Sequence, residues 1–409
     1  MSDAVAPRPP DPPVATPLLV PRDPVSVTTD PVRLHALARD LAAGDGPVAL
    51  DAERASGYRY GSRAYLVQLR RDDVGTHLLD PVALGDLAAL QHGLSTSEWV
   101  LHAATQDLPC LAEAGLTPTR LFDTELAGRL AGYARVGLGP LVEEVLGLAL
   151  QKGHGAADWS VRPLPHELLV YAALDVEVLV DLRDELTEVL RRQGKLDWAR
   201  QEFAALVAAP SPAPRVDPWR RTSGIHKVHD RRALAVIREL WEQRDDIASR
   251  RDLAPHRVLP DAAMVAAATA RPRTVADLVA LPVFGGRAQR RQASGWLAAI
   301  SRATALPDRD LPPTHLAGDG PPPASRWAAK DPVAAARLMA ARQSIAALSE
   351  QWSIPVENLI SPDLVRRTLW HPPASDEVDA LLAAGGARPW QIELVGSALR
   401  AALSPPTPG

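Results

Sequence analysis

Apolar residues change rhythm along this chain. Between about residues 25 and 104 they come in short bursts. "PVSVTT", "PVALDAE", "AYLVQLRR", "THLLD" and "EWVLHAA" have the length and residue types of strands. Between the first two bursts, "DPVRLHALARDLAAGDG" repeats its leucines at helical spacing. Asp30 serves as N-cap, Pro31 takes the first position and Gly44 lies near the end. Helical periods then dominate, at about 105–114, 123–133, 138–148 and 165–193. Strands first and interleaved helices afterwards predict an α/β layer fold. Beyond about residue 222 strand signals vanish and only helical periods remain.

Proline and glycine punctuate these blocks. Residues 1–24 are Pro-rich and short of large apolar side chains, which predicts a disordered tail. The α/β domain is expected over 25–205, with "VAAPSPAPRVDPWRRT" inside a linker at 206–224. Helices broken at "DLAPHRVLPD" and "LPVFGGR" make a first helical domain of 225–305. A second Pro/Gly-rich linker, 306–328, leads into another helical domain of 329–404. The two helical blocks echo each other, "RDLAPHRVLPDAAMVAAATARP" beside "WSIPVENLISPDLVRRTLWHPP". Each runs from a helix through a short Pro-containing stretch and a Pro-Asp into a new helix, which suggests a duplicated unit.

Composition narrows the picture. The 409 residues suffice for several cores, and a net charge of −4 gives no whole-molecule field for nucleic acid or membrane, so any such site must be local. Cys110 is the only cysteine, which excludes an intrachain disulfide and a Cys-based zinc site and fits a reducing cytoplasm. The N-terminus lacks the basic region and apolar core of a secretory signal, and no apolar run reaches the length of a membrane span. A soluble cytoplasmic protein is the expectation.

The chemistry lies in carboxylates placed where apolar residues belong. "VALDAERASG" builds a buried strand and ends it with Asp51 and Glu53, which alternation sets on one face. "VLHAATQDLPCL" puts Asp107 directly after another apolar strand. A helix-start role satisfies that residue by itself. In "HELLVYAALDVEVLVDL", Tyr171 and Asp175 lie four apart on a strongly apolar helix, where a carboxylate is costly unless paired or ligating. Four carboxylates and a tyrosine over an α/β domain suit hard divalent cations such as Mg²⁺ or Mn²⁺, which prefer oxygen ligands and offset mutual repulsion.

These segments resemble the three exonuclease motifs of the DEDD 3′–5′ exonucleases, in the subclass with tyrosine in the third motif. The ribonuclease D family is the closest match, through "VALDAE", "YLVQL", "LHAATQDL", "DWSVRPL" and "YAALDVEVL" in the right order over about 25–195. The resemblance implies an α/β ribonuclease H-like exonuclease domain with a mixed sheet, followed by two small all-α HRDC-like bundles. It also implies two-metal hydrolysis that releases nucleoside 5′-monophosphates from the 3′ end. Asp51 would bridge two divalent cations, Mg²⁺ or Mn²⁺. Glu53 and Asp175 would hold the cation that activates water, and Asp107 would support the second. Tyr171 would orient or help deprotonate the attacking water. Arg54 departs from the family, where an apolar or aromatic residue commonly follows Asp-x-Glu, and this puts substrate fit in question more than chemistry. His102 and Gln106 serve either as contacts to the terminal nucleotide or as structural neighbours of Asp107. Lys152, Asp158, Trp159 and Arg162 serve either phosphate or loop packing. Cys110 reads as a small buried apolar residue.

The stretch from "RALAVIRELWEQRDDIASRRDLAPHRVLPD" to "LVALPVFGGR" resembles the HRDC domain over about 228–304, a bundle associated with nucleic acid. Arg215, Arg220, Arg221, Lys227, Arg231 and Arg232 cluster where the chain enters it. Arg287, Arg290 and Arg291 follow its "VFGG" turn, where a helix N-terminus can take a phosphate. Arg287 is the substrate contact expected here. The expected substrates are single-stranded 3′ ends of RNA, with tRNA precursors foremost, acted on by a monomer. The motifs read no 2′-hydroxyl, so a 3′–5′ DNA exonuclease is the enzymatic alternative. A non-catalytic RNA-binding scaffold is the alternative outside catalysis.

Overall fold

Eight strands form in the described part of the chain: β1 Thr16–Leu18, β2 Val27–Thr28, β3 Val48–Arg54, β4 Ala64–Arg71, β5 Gly75–Leu79, β6 Glu98–Leu101, β7 Arg120–Asp123 and β8 Leu148–Leu150. The computed structural model describes residues 15–403 apart from 152, 154, 211, 212, 214 and 317–319. Six strands make one mixed sheet in the order β2-β5-β4-β3-β6-β7. β3 pairs antiparallel with β4 on one side and parallel with β6 on the other, and β6 is parallel to β7. Every residue of β4 is buried, as for a strand covered on both faces. Its Leu66, Val67 and Leu69 are fully enclosed, each stabilising the fold by about 1.5–3 kcal/mol. Arg70 and Arg71 sit in that strand because their charges are answered. Arg70 pairs with Asp23 and Asp72, while Arg71 pairs with Asp73 and donates to the carbonyls of Leu41 and Asp40.

The helix after β2, Pro31–Ala43, starts as the sequence predicts, with the Asp30 carboxylate accepting the Val32 N–H and Pro31 in the first turn. The long helix expected at 165–193 is two, His166–Glu177 and Leu179–Arg192, with Val178 at the break. A further helix, Leu196–Ala208, extends into the expected linker. That linker also packs at its far end, where Trp219 is buried in the core of the first bundle. The Pro-rich tail does not run to residue 24 either. Residues 16–18 pair with Leu148–Leu150, Arg22 meets Glu177, and Asp23 accepts the Thr76 N–H. The rest of that expected tail, residues 1–14, lies outside the described residues.

Two helical bundles follow, and their backbones repeat one another. Arg231–Arg251 ends at Asp252 and Pro332–Trp352 ends at Ser353, both left-handed with φ near 50°. A four-residue helix comes next in each, Pro255–Val258 and Val356–Leu359. An extended residue then leads into Asp261–Ala270 or Pro362–Trp370. No helix among the described residues is long and apolar enough to cross a membrane.

Candidate active site

The carboxyl ends of β3 and β6 lie at one edge of the sheet, where the chain, having built β4 and β5 on one side of β3, returns to build β6 and β7 on the other. Ligand clefts in α/β sheets form at such switch points. Asp51 and Glu53 leave the end of β3, and Gln68, opposite Asp51 on β4, donates from Nε2 to Asp51 Oδ2 at 3.2 Å. After β6 the chain turns through Ala103, left-handed at φ 56°, and a 3₁₀ turn at Ala104–Gln106. Asp107 then starts the helix Leu108–Glu113 without capping it through its side chain. It is 4% exposed and pairs instead with Arg54. The helix His166–Glu177 lies over β3, β4 and β5, held by buried Leu168, Ala172, Ala173, Leu174 and Val176. It brings Tyr171 and Asp175 to the same cleft, where the two side chains hydrogen-bond.

One open cleft of about 280 Å³ is thus lined by Asp51, Glu53, Asp107, Tyr171 and Asp175, together with Arg54, His102 and Gln106. Ligand oxygens of Asp51, Glu53 and Asp175 lie within 4.8 Å of one another. Crowding buried carboxylates has an electrostatic cost. Burial, then the charges of Asp107, Asp175 and Glu53, hold the Asp51 carboxyl well above its ordinary range. Burial and the charges of Asp175 and Asp107 push Glu53 up to about 8, and burial pushes Asp175 to about 7. Burial also raises Asp107, against the pull of Arg54. Such a set, in which Asp51, Glu53 and Asp175 form no ion pair among the described residues, fits a hard divalent cation.

The neighbours divide into two kinds. His102 points its Nδ1 at Thr124 Oγ1, 2.9 Å away, and burial lowers its pKa to about 4, so the ring is neutral at physiological pH. Gln106 lends its backbone carbonyl to Arg54 at 2.7 Å. Arg162 serves packing. It bonds both Asp80 oxygens and the carbonyls of Tyr65 and Trp159, which leaves its fork committed within the protein. Trp159 is fully buried beside Tyr171, with ring centroids 6.3 Å apart, and Asp158 accepts the Ser160 N–H. Lys152 lies outside the described residues. Cys110 is buried as expected, 3.7 Å by its sulfur from Arg54. Arg287 is not brought to this cleft. It is exposed at the start of the helix Arg287–Ala305 in the first bundle.

Several of the arginines expected to meet nucleic acid are otherwise engaged. Arg231 donates to the carbonyls of Asp308 and Leu311, Arg232 to those of Thr304 and Leu306, and Arg220 to Pro313. These are the carbonyls at and beyond the end of Arg287–Ala305, which need donors once the helix stops. Sequence reasoning also missed Asp123, which ends β7. Its Oδ1 accepts the N–H groups of Ala103, Glu125 and Leu126, and its Oδ2 accepts that of Ala104. The signal was an Asp between an apolar pair and "TELAGRL", a helix start of its own.

This geometry has counterparts. The 3′–5′ exonuclease family matches residues 25–191, the HRDC domain matches 233–300, and the "3′ to 5′ exonuclease C-terminal domain" matches 320–403. The first region thus carries a 3′–5′ exonuclease domain. A ribonuclease D of Gluconacetobacter diazotrophicus is 36% identical over 68% of this chain and 71% of its own, and that of Jannaschia sp. is 32% identical over 68% and 74%. A protein of Bifidobacterium adolescentis superposes over 95% of this chain and 99% of its own, at 35% identity and a TM-score of 0.88. Escherichia coli RNase D, an exoribonuclease involved in structured RNA processing, covers 93% and 99% at 26% identity and a TM-score of 0.67. The chain belongs to the ribonuclease D family.

Proposed function

We propose that this chain is a divalent-metal-dependent 3′–5′ exoribonuclease that releases nucleoside 5′-monophosphates and trims tRNA precursors and other structured RNAs. The carrying observation is the convergence of Asp51, Glu53, Asp107, Tyr171 and Asp175 on one cleft in a chain of this family. Asp51, Glu53 and Asp175 would hold one cation, and Asp51 with Asp107 a second, Mg²⁺ or Mn²⁺ in each case. When bound, such ions neutralise the charge that develops on the attacking and leaving oxygens of a phosphodiester.

The side chains supply the rest. Burial and the neighbouring Asp175 and Glu53 charges raise the Tyr171 pKa, so its hydroxyl keeps its proton. Cations in the cleft would offset those charges, and Tyr171, hydrogen-bonded to Asp175, would orient or help deprotonate the attacking water. Neutral His102 and the Gln106 side chain border the place where the terminal nucleotide would enter. Arg287, Arg290 and Arg291, exposed on the first turns of their helix, would guide phosphates from the first bundle, a contact that weakens steeply with salt. Action as a monomer is part of the same reading, and the single buried Cys110 supports a reducing cytoplasm.

The test is the decay of 5′-labelled single-stranded RNA beside a matched DNA, with Mg²⁺, Mn²⁺ or EDTA. The expected result is a ladder shortening from the 3′ end, lost with EDTA and lost in Asp107→Asn by about 10³-fold or more. The RNA-to-DNA rate ratio decides the substrate class. Intact RNA under every metal condition, with binding retained, would replace catalysis by a scaffold role.

A further inference from the structure

Arg54 lines the cleft beside its sequence neighbour Glu53, although adjacent residues of a regular strand face opposite ways. The β3–β4 register shifts between these two positions, and this irregularity brings both side chains to one side. Its Nη1 touches three groups of the second carboxylate segment: the Asp107 carboxylate, the Gln106 carbonyl at 2.7 Å and the Cys110 sulfur at 3.7 Å. The cleft's charge is therefore divided. Asp51, Glu53 and Asp175 form no ion pair with a cationic side chain among the described residues, whereas Asp107 has a guanidinium of its own.

We infer that Arg54 is a resident cation at the Asp107 half of the site, so that without RNA this chain takes up one divalent ion tightly and a second only in competition with the guanidinium. The inference rests on the metal-dependent reading above and deepens it. A carboxylate already paired to a guanidinium gives up that partner to accept an ion, and a guanidinium left nearby repels a doubly charged cation. An apolar side chain at position 54 would impose neither condition. When displaced, the guanidinium is left free to meet a phosphate, so the second ion and the substrate would enter together.

The experiment is a titration of the full chain with Mn²⁺ in RNA-free buffer, following free Mn²⁺ by electron paramagnetic resonance. It is run on the wild type, Arg54→Met, Arg54→Gln and Arg54→Met with Asp107→Asn, each first checked by thermal melting in EDTA. The wild type is expected to bind one ion tightly and a second weakly. Removing the charge in either single variant should tighten the second ion by about tenfold or more and leave the first nearly unchanged. The double variant should lose that gain, placing the second ion at Asp107. Two tight ions in the wild type, or identical isotherms for wild type and both variants, would overturn the inference while leaving metal dependence intact. No Mn²⁺ binding by any of the proteins would sink the metal-dependent reading as well.

Discussion

Glu53 and Asp175 carry folded-state pKa values of about 8 and about 7, against ordinary values of 4.5 and 3.8. Each is raised, so the folded chain holds protons that the unfolded chain has released. The stabilising contribution is complete below about pH 4 and is lost as pH climbs through about 7 to 8. A divalent cation binds the ionised forms and should cancel that loss. Melting temperatures in EDTA should therefore fall, relative to those in saturating Mg²⁺, as pH rises across this window. Parallel curves would contradict it. Asp175 was legible because it interrupts an apolar helix, an expense that chemistry explains more readily than packing, and Asp51, Glu53 and Asp107 became legible beside it as one set of motifs. Arg54 was legible only as an oddity. Its partner Asp107 stands 53 positions away, and no local pattern announces that pairing.

At the scale of elements, Asp123 joins two of them. It caps the helix Thr124–Ala131 and anchors the left-handed turn that leads from β6 to Asp107. Asp123→Ala leaves buried N–H groups without acceptors and should lower stability by about 2–3 kcal/mol in urea unfolding. Asp123→Asn retains a carbonyl acceptor for the Oδ1 set and should cost less, about 1 kcal/mol. Equal stability of all three proteins would remove Asp123 from this role. Elements with long periods and explicit caps were readable from the sequence, as the helix Pro31–Ala43 illustrates. The short ones were not. β7 has two apolar residues between polar ends, and β1 and β8 are three-residue strands that exist only through each other across the chain. The break at Val178 carries no proline or glycine to signal it.

For the whole molecule, the two bundles are held in different ways. The second shares a core with the exonuclease domain. Trp198 lies between Trp390, stacked at 5.0 Å, and Trp352, edge-on at 4.9 Å. Glu202 takes both the Arg388 guanidinium and the Trp390 indole N–H, and Lys195 donates to the carbonyls of Leu130 and Trp352. Trp198→Ala should thus cost about 3 kcal/mol and lower the thermal midpoint of the exonuclease domain along with that of the bundle. Two separate transitions, only one of them shifted, would show that the cores are independent. The first bundle is held by polar contacts to the loop between β3 and β4. Tyr60 donates to Asp245, Arg63 meets Asp252, and Arg257 bonds the Gly57 carbonyl while lying over the Tyr58 ring. The duplication was visible in the repeated Pro-Asp helix starts. The unequal attachment was not, because it depends on which outer face of each bundle meets the domain.

That loop leaves the strand that bears Asp51 and Glu53, with Arg54 as its last residue, and ends in the grip of the first bundle. The chain segment that sets the cleft's charge is thereby also a mechanical link. Linkage between two such sites is symmetric. A strand of RNA that settles on the bundle and favours one position of the loop must change the cleft's affinity for cations. By the same factor, cations in the cleft would change the bundle's affinity for any RNA that it takes, as proposed above. Trimming would then be gated by the molecule's hold on its substrate far from the bond being cut.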